Sequence, residues 1–172
     1  MTTLVHPRLR GLTREDVARV VELTRATGVF RDSELDIAEE VVREAVRSSP
    51  STTEPEAENR PYYALGAELD GRLVGWICWG ATPCTVGTWD LYWLAVDPAA
   101  HGRGVGTALV EAMERALRGR ARLVVVNTSG REDYAPTRRF YEARGYTRAA
   151  VVKDYYAPGD DQVIYTKQLG GP

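Results

Sequence analysis

The sequence predicts an α/β fold: a mixed β-sheet, with a parallel pair of strands at its centre, flanked by helices. Three observations carry that prediction. Near mid-chain an apolar, aromatic run ends at Val96, and Asp97-Pro98, three glycines at alternate positions and an amphipathic pattern follow it. Beyond that pattern, Leu123-Val124-Val125-Val126 has no helical face and reads as a short buried strand. Strands that alternate with helices imply crossover connections, and crossovers join parallel strands.

Taken in order, residues 1–11 read as an extended lead-in. Thr13-Arg14-Glu15-Asp16 is a capping-box pattern, with Val17, Val20, Val21 and Thr24 on one face of the helix it opens and Gly28 at its end. Ser33-Glu34-Leu35-Asp36 opens a second helix, with Ile37, Val41, Ala45 and Val46 expected inward. Residues 48–61 are rich in Ser, Thr, Glu and Pro and read as a mobile loop. That insertion is too short to separate two domains, so a single domain over 1–172 is expected.

Tyr63, Leu65, Ala67 and Leu69 alternate as a strand, Asp70-Gly71 is a hairpin turn, and Leu73, Gly75, Ile77 and Trp79 alternate as its partner. Thr82–Gly87 turns the chain into the central strand, which Asp97-Pro98 stops, because proline has no ladder donor. After the glycines, Val105, Ala108, Leu109, Ala112, Met113, Ala116 and Leu117 share a helical face. Tyr134 to Arg144 reads as a helix capped by Gly145, with Phe140 its core candidate. Tyr146–Tyr156 and Gln162–Leu169 form a last pair of strands.

The composition, 44% hydrophobic and 27% charged over 172 residues, is that of a globular protein. A net charge of −2, with both signs intermixed, gives no footprint for nucleic acid or for an anionic membrane surface. No apolar run has membrane-spanning length, and the N-terminus lacks a signal-peptide core. Cys78 and Cys84 read as small core residues rather than a disulfide framework, which points to the cytoplasm. No metal site is expected.

The loop between central strand and helix, His101-Gly102-Arg103-Gly104-Val105-Gly106-Thr107, admits two readings. It is either a tight turn needing glycine for positive φ, or a cradle whose amides, at a helix N-terminus, seat a phosphate. Arg103 adds a full charge there. A P-loop would need Gly-Lys-Ser/Thr, and a dinucleotide fold Gly-x-Gly-x-x-Gly. The Gly-x-Gly-x-Gly spacing is neither, so NAD is disfavoured.

Val96-Asp97-Pro98 followed by this loop resembles the acetyl-CoA motif of the GNAT superfamily of N-acetyltransferases, Gln/Arg-x-x-Gly-x-Gly/Ala, with His101 in place of the first residue. The resemblance covers residues 62–169 and implies a GNAT-like, centrally splayed sheet. It implies that acetyl-CoA binds with its pantetheine arm along Leu94, Ala95 and Val96 and its pyrophosphate at His101–Thr107, Asn127 and Arg138 completing the set. Phe140-Tyr141-Glu142-Ala143-Arg144-Gly145-Tyr146 is similar to the family's FYxxxGY/F segment, which makes Tyr141 the donor to the leaving CoA thiolate.

An amine acceptor must lose a proton before or during attack. Asp90 and Glu68 are the acidic candidates, and relay through water to Asp90 is the favoured route. Asn127 stands where some N-terminal-amine acetyltransferases carry a glutamate, and it can orient an acceptor or a water. Asp154-Tyr155-Tyr156-Ala157-Pro158-Gly159-Asp160-Asp161 is similar to the YYxxGED hairpin of acetyltransferases of the ribosomal-protein-alanine type, although small-molecule enzymes carry such hairpins too. Glu68, Trp89, Tyr92, Tyr134, Tyr155 and Tyr156 form the expected acceptor wall, to which Trp76, Trp79, Trp93 and residues 129–133 are further candidates.

The expected partners are acetyl-CoA and a primary amine, of a small amino compound or a peptide N-terminus, with homodimerisation left open. The competing reading is a non-catalytic acyl-CoA-binding or sensing module of the same fold. Only Glu68, Asp90, Asp160 and Asp161 are placed to offer acidic groups to the cleft, which disfavours polyamines and basic tails as acceptors.

Overall fold

The computed structural model describes residues 6–47, 51 and 60–171. Residues 1–5, and most of the loop expected over 48–61, lie outside the described residues. Inside that stretch Ser51 is buried. Its Oγ donates to the Ala64 carbonyl at 2.7 Å, and it accepts from the Leu12 amide at 2.7 Å.

The described residues form seven strands and four α-helices: β1 (Arg8–Arg10), α1 (Val17–Ala26), α2 (Asp32–Ala45), β2 (Tyr63–Leu69), β3 (Arg72–Ala81), β4 (Thr88–Val96), α3 (Val105–Leu117), β5 (Leu123–Ser129), α4 (Ala135–Glu142), β6 (Thr147–Ala157) and β7 (Asp160–Gln168). The strands make one mixed sheet in the order β1-β2-β3-β4-β5-β7-β6. The parallel pair is β4 and β5, in register from Thr88 opposite Leu123 to Leu91 opposite Val126. The expected α/β class and its central parallel pair are present.

The chain divides into two compact units. One holds the residues up to Gly80 with Trp93–Ala116, the other Ala81–Tyr92 with the residues from Leu117 onward. In the first, β2 and β3 form the expected hairpin: Asp70 and Gly71 both take positive φ, 51° and 75°, as a type I′ turn demands. Every residue from Leu73 to Gly80 is buried, so apolar side chains fill both faces of β3 rather than alternating. Leu12, Val20, Leu23, Ala38, Val42, Trp76 and Cys78 belong to this unit's core.

The second helix opens one residue earlier than its sequence signal, with the Glu34 carboxylate accepting from the Arg31 amide at 2.7 Å. Val41, Ala45 and Val46 are buried as expected, together with Leu35, Ala38 and Val42, whereas the expected core residue Ile37 is 51% exposed. Cys84 is also corrected: it is exposed at φ 61° in the turn before β4, whereas Cys78 is fully buried.

In the second unit, β5, β7 and β6 run antiparallel to one another in that order, and β6 forms the sheet edge with all but its last residue exposed. Val124, Val126, Tyr141, Tyr146, Val163 and Tyr165 are buried there. The roles expected of the two aromatic residues on α4 are reversed in burial: Tyr141 is buried, and Phe140, half-buried, lies under the Arg144 guanidinium, 3.5 Å from its ring centroid.

Candidate active site

In the first unit, backbone chemistry builds the loop after β4. The Asp97 amide donates to the Val74 carbonyl at 2.8 Å, which ties the strand end to β3. Its carboxylate Oδ1 accepts from the Ala99 amide at 3.0 Å and closes a short 3-10 turn over Pro98–Ala100. The amide of Ala99, then the Arg19 guanidinium, hold the Asp97 carboxyl below the usual carboxylate range. The exposed His101 ring turns back, its Nε2–H donating to the Val96 carbonyl at 3.0 Å.

Gly102 and Gly104 follow with φ of 74° and 76°, the left-handed region that a side chain resists. Gly106 is already inside α3. The first amides of a helix have no intrahelical acceptor, so the opening turn of α3 directs donors and the positive end of the helix dipole at the loop. Val105, Leu109 and Met113 of α3 are buried, the first two beside β3. Gly75 on β3 permits that approach: a Cβ there would stand 2.8 Å from Val105 Cγ1 and 3.3 Å from Leu109 Cδ1. Arg103 reaches Asp70 at 3.7 Å, an exposed pair of little energetic weight.

Trp93, Leu94, Ala95 and Val96 belong to the same unit, beyond the last rung that β4 shares with β5 at Leu91. Ala95 is buried and Leu94 half-buried. Because His101 takes the Val96 carbonyl, that acceptor has a partner of its own. Trp93 lies in an aromatic column, 5.1 Å from Phe30 and stacked at 6.1 Å on Trp76, whose indole N–H donates to Thr24 Oγ1 at 2.9 Å.

Glu68 is in this unit too, paired with arginines of β1. Arg10 Nε donates to Oε1 at 2.6 Å, and Arg8 approaches Oε2 at 3.8 Å. Arg10 also forks onto Asp16 at 2.7 and 2.9 Å. The carboxylate thus joins β1 to β2.

In the second unit, Asp90 stands opposite Val125 on the parallel pair, and Thr82 Oγ1 donates to its Oδ2 at 2.6 Å. Thr82 was not singled out in the sequence: a hydroxyl eight residues away across a turn has no periodic signature. Trp89 is half-buried and Tyr92 is 40% exposed on the same strand. Asn127, opposite Ile164, is exposed.

Arg138 serves as a strut. Its Nη1 donates to the carbonyls of Ser129 and Arg131 at 2.7 and 2.8 Å, fixing the turn between β5 and α4. Arg131 in turn lies 5.5 Å from the ring centroid of Tyr134 and 3.4 Å from the buried Asp160 carboxylate. Tyr141 packs edge-on against Tyr146 at 5.5 Å and Phe140 at 5.3 Å. Burial pushes its phenol well above the usual range, so it stays protonated at neutral and moderately alkaline pH. Tyr155 and Tyr156 form an exposed edge-on pair at 4.9 Å.

The family model of the acetyltransferase (GNAT) family matches residues 26–146. The chain belongs to that family. An uncharacterized N-acetyltransferase of Methanocaldococcus jannaschii is 30% identical over 145 residues, 81% of this chain and 88% of the relative. The S-(2-succino)cysteine N-acetyltransferase of Bacillus subtilis is 28% identical over 176 residues, covering 95% of this chain and 96% of the relative. Among solved structures, one described as an acetyltransferase of the GNAT family from Desulfovibrio desulfuricans superposes with a TM-score of 0.84 at 36% identity, covering 95% of this chain and 99% of that one.

As a GNAT-family enzyme the chain has acetyl-CoA as its family's donor. Among the described residues no group of three or more His, Cys, Asp or Glu side chains is placed to hold a metal, and no helix is long and apolar enough to cross a membrane. The GNAT matched segment contains the loop, Asp90, Asn127 and Tyr141, and ends at Tyr146, before the Tyr155-Tyr156 hairpin.

Proposed function

We propose that this GNAT domain transfers the acetyl group of acetyl-CoA directly, in a ternary complex, to the α-amine of a small amino compound or a peptide N-terminus. The carrying observation is the pair of left-handed glycines, 102 and 104, leading into the opening turn of α3. A tight turn alone needs no array of amides aimed at one point, whereas the CoA pyrophosphate does. Backbone groups of Leu94 and Ala95 receive the pantetheine arm.

The acceptor's chemistry supports the α-amine. An α-ammonium has a pKa near 8, so roughly a tenth is already free base at neutral pH. It then needs only a weak acceptor for its proton, supplied by Asp90 through water, with Thr82 Oγ1 fixing the carboxylate. A lysine side chain, pKa near 10.4, holds roughly two hundredfold less free base at neutral pH and needs a stronger base. The bond from nitrogen to the acetyl carbon forms and that to CoA sulfur breaks; nitrogen's second proton leaves to water, and the thiolate takes a proton by way of the Tyr141 phenol, which recovers one from water. The Bacillus subtilis relative of near-equal length acts on an S-substituted cysteine, whose amine is an α-amine.

The test is an amine panel (amino acids, S-substituted cysteines, short peptides, lysine side chains with blocked α-amines, spermidine) with release of free CoA thiol as the readout. α-Amines are expected to lead, at rates rising with pH toward the amine's own pKa. Faster acetylation of spermidine or ε-amines overturns the acceptor assignment. CoA binding with no turnover on any amine would favour the sensing module.

A further inference from the structure

We infer that Arg19, on α1, is a positioning residue for the acetyl-CoA loop, acting through Asp97; the inference rests on the reading of that loop given above. Arg19 projects from the first turn of α1 and reaches three groups. Its Nε donates to the Leu73 carbonyl at 3.0 Å, its Nη2 to Asp97 Oδ2 at 2.5 Å, and its Nη1 pairs with Glu22 at 3.0 Å. The first two contacts lie at the start of β3 and at the residue where β4 gives way to the loop. Arg19 and Asp97 side chains are only 17% and 15% exposed, whereas Glu22 is 65% exposed.

A largely buried charge pair is a costly way to gain stability, because desolvation offsets much of the attraction. What the pair does supply here is direction. One Asp97 oxygen is held by Arg19, and the other holds the Ala99 amide. The Asp97 amide is pinned to the Val74 carbonyl, and the Asp97 carbonyl accepts from the Ala100 amide at 2.8 Å. Four bonds therefore fix the orientation of this single residue. Four residues further on, the His101 ring is bonded back to Val96, and the left-handed Gly102 and Gly104 follow. Any rotation at Asp97 moves the start of the glycine loop relative to the amides of α3. The planar guanidinium fork is what allows one side chain to hold a carbonyl and a carboxylate together; a lysine is a point charge and does not impose that geometry.

Three variants and a control test the inference. Asp97→Asn keeps an oxygen for the Ala99 amide but loses the anion; Arg19→Lys keeps charge but loses the fork; Arg19→Met loses both. Glu22→Gln is the control, since it removes the exposed partner of the same guanidinium. Each is assayed for Tm, for CoA affinity by calorimetry, and for KM against kcat with acetyl-CoA varied. Asp97→Asn and Arg19→Lys are expected to raise the CoA Kd and the acetyl-CoA KM about tenfold, within the range for displaced positioning groups, with kcat at saturation nearly unchanged. Glu22→Gln is expected to leave both constants unchanged. In the pair Arg19→Met with Asp97→Asn, the losses should not add, because each removes the same contact.

A folded Asp97→Asn or Arg19→Lys protein whose CoA Kd stays within twofold of wild type, with loss confined to Tm or kcat, makes the pair merely structural and overturns the inference. If Arg19→Met fails to fold, the two conservative variants decide. Wild-type protein that does not bind CoA overturns the reading of the loop itself, a result distinct from the first.

Discussion

Replacing Gly104 with valine isolates what the loop does from what it costs the fold. Gly104 has φ 76°, and a Cβ built there meets no atom within 4 Å. Nothing needs to move to make room, so the whole penalty is backbone strain, about 1–3 kcal/mol for a non-glycine residue in this region. For chains of this size that corresponds to a Tm fall of about 2–4 °C per kcal/mol, which a domain stable by roughly 5–15 kcal/mol survives. The consequence for CoA is larger. A β-branched residue relieves its strain by swinging φ negative, which rotates the amides on either side of it away from the pyrophosphate. Losing two hydrogen bonds to a charged group, each worth about 1.5–3 kcal/mol, weakens binding by about two to four orders of magnitude. Gly28, at the end of α1, supplies the control: its φ is 72° and its Cβ position is equally open. Gly28→Val should therefore lower Tm by as much as Gly104→Val yet leave CoA affinity unchanged. The measurements are thermal unfolding by circular dichroism and calorimetric titration with CoA. A folded Gly104→Val protein that binds CoA within threefold of wild type would refute the cradle and leave the glycines as turn formers only.

Two further outcomes are expected. Tyr141→Phe should lower kcat by about a hundredfold to ten-thousandfold with little change in acetyl-CoA affinity, and because burial raises its pKa, wild-type activity should show no falling limb from this phenol up to pH 10; near-normal turnover would reduce Tyr141 to packing against Tyr146. Asp16 and Asp97 are both held below the normal carboxylate range, Asp16 foremost by Arg10 and Asp97 by the Ala99 amide and then Arg19. Their folded pKa values lie below the unfolded ones, so their stabilisation is complete above about pH 4–5 and is lost as pH falls through the depressed values. Tm should therefore be flat from pH 7 to 5 and drop toward pH 3, less steeply in Asp16→Asn, and an unchanged slope in that variant would contradict the assignment.

What the sequence revealed, and what it concealed, divides along a physical line. Elements specified by local chemistry were readable. The Asp70-Gly71 turn needs two positive φ values, the strand ending at Val96 is stopped by proline, and the stripe from Val105 to Leu117 has helical spacing. The glycine loop was readable for the same reason, since its conformation is written in residues that tolerate it. Contacts between distant segments left no such trace. Glu68 and Arg10 are 58 positions apart, and Arg19 and Asp97 are 78 apart. A carboxylate on a strand looks the same in sequence whether it faces a substrate or an arginine of the neighbouring strand. The ion pairs of Glu68 and the reach of Arg19 to Asp97 are therefore visible only in the fold.

The reversal on α4 has a related origin. Period alone placed Phe140 inward because phenylalanine is the more apolar of the adjacent pair, and a helix of eight residues offers too few turns to fix its phase. The structure buries Tyr141 between Phe140 and Tyr146 and leaves Phe140 half-buried beneath Arg144. A phenol is more expensive to bury than a phenyl ring, and in a helix with an apolar alternative next door, packing by itself would have chosen the phenylalanine. The side chain that occupies the buried position is the one with a proton to give. Its burial keeps that proton on oxygen at neutral and moderately alkaline pH, and the Tyr141→Phe variant tests whether the proton is used.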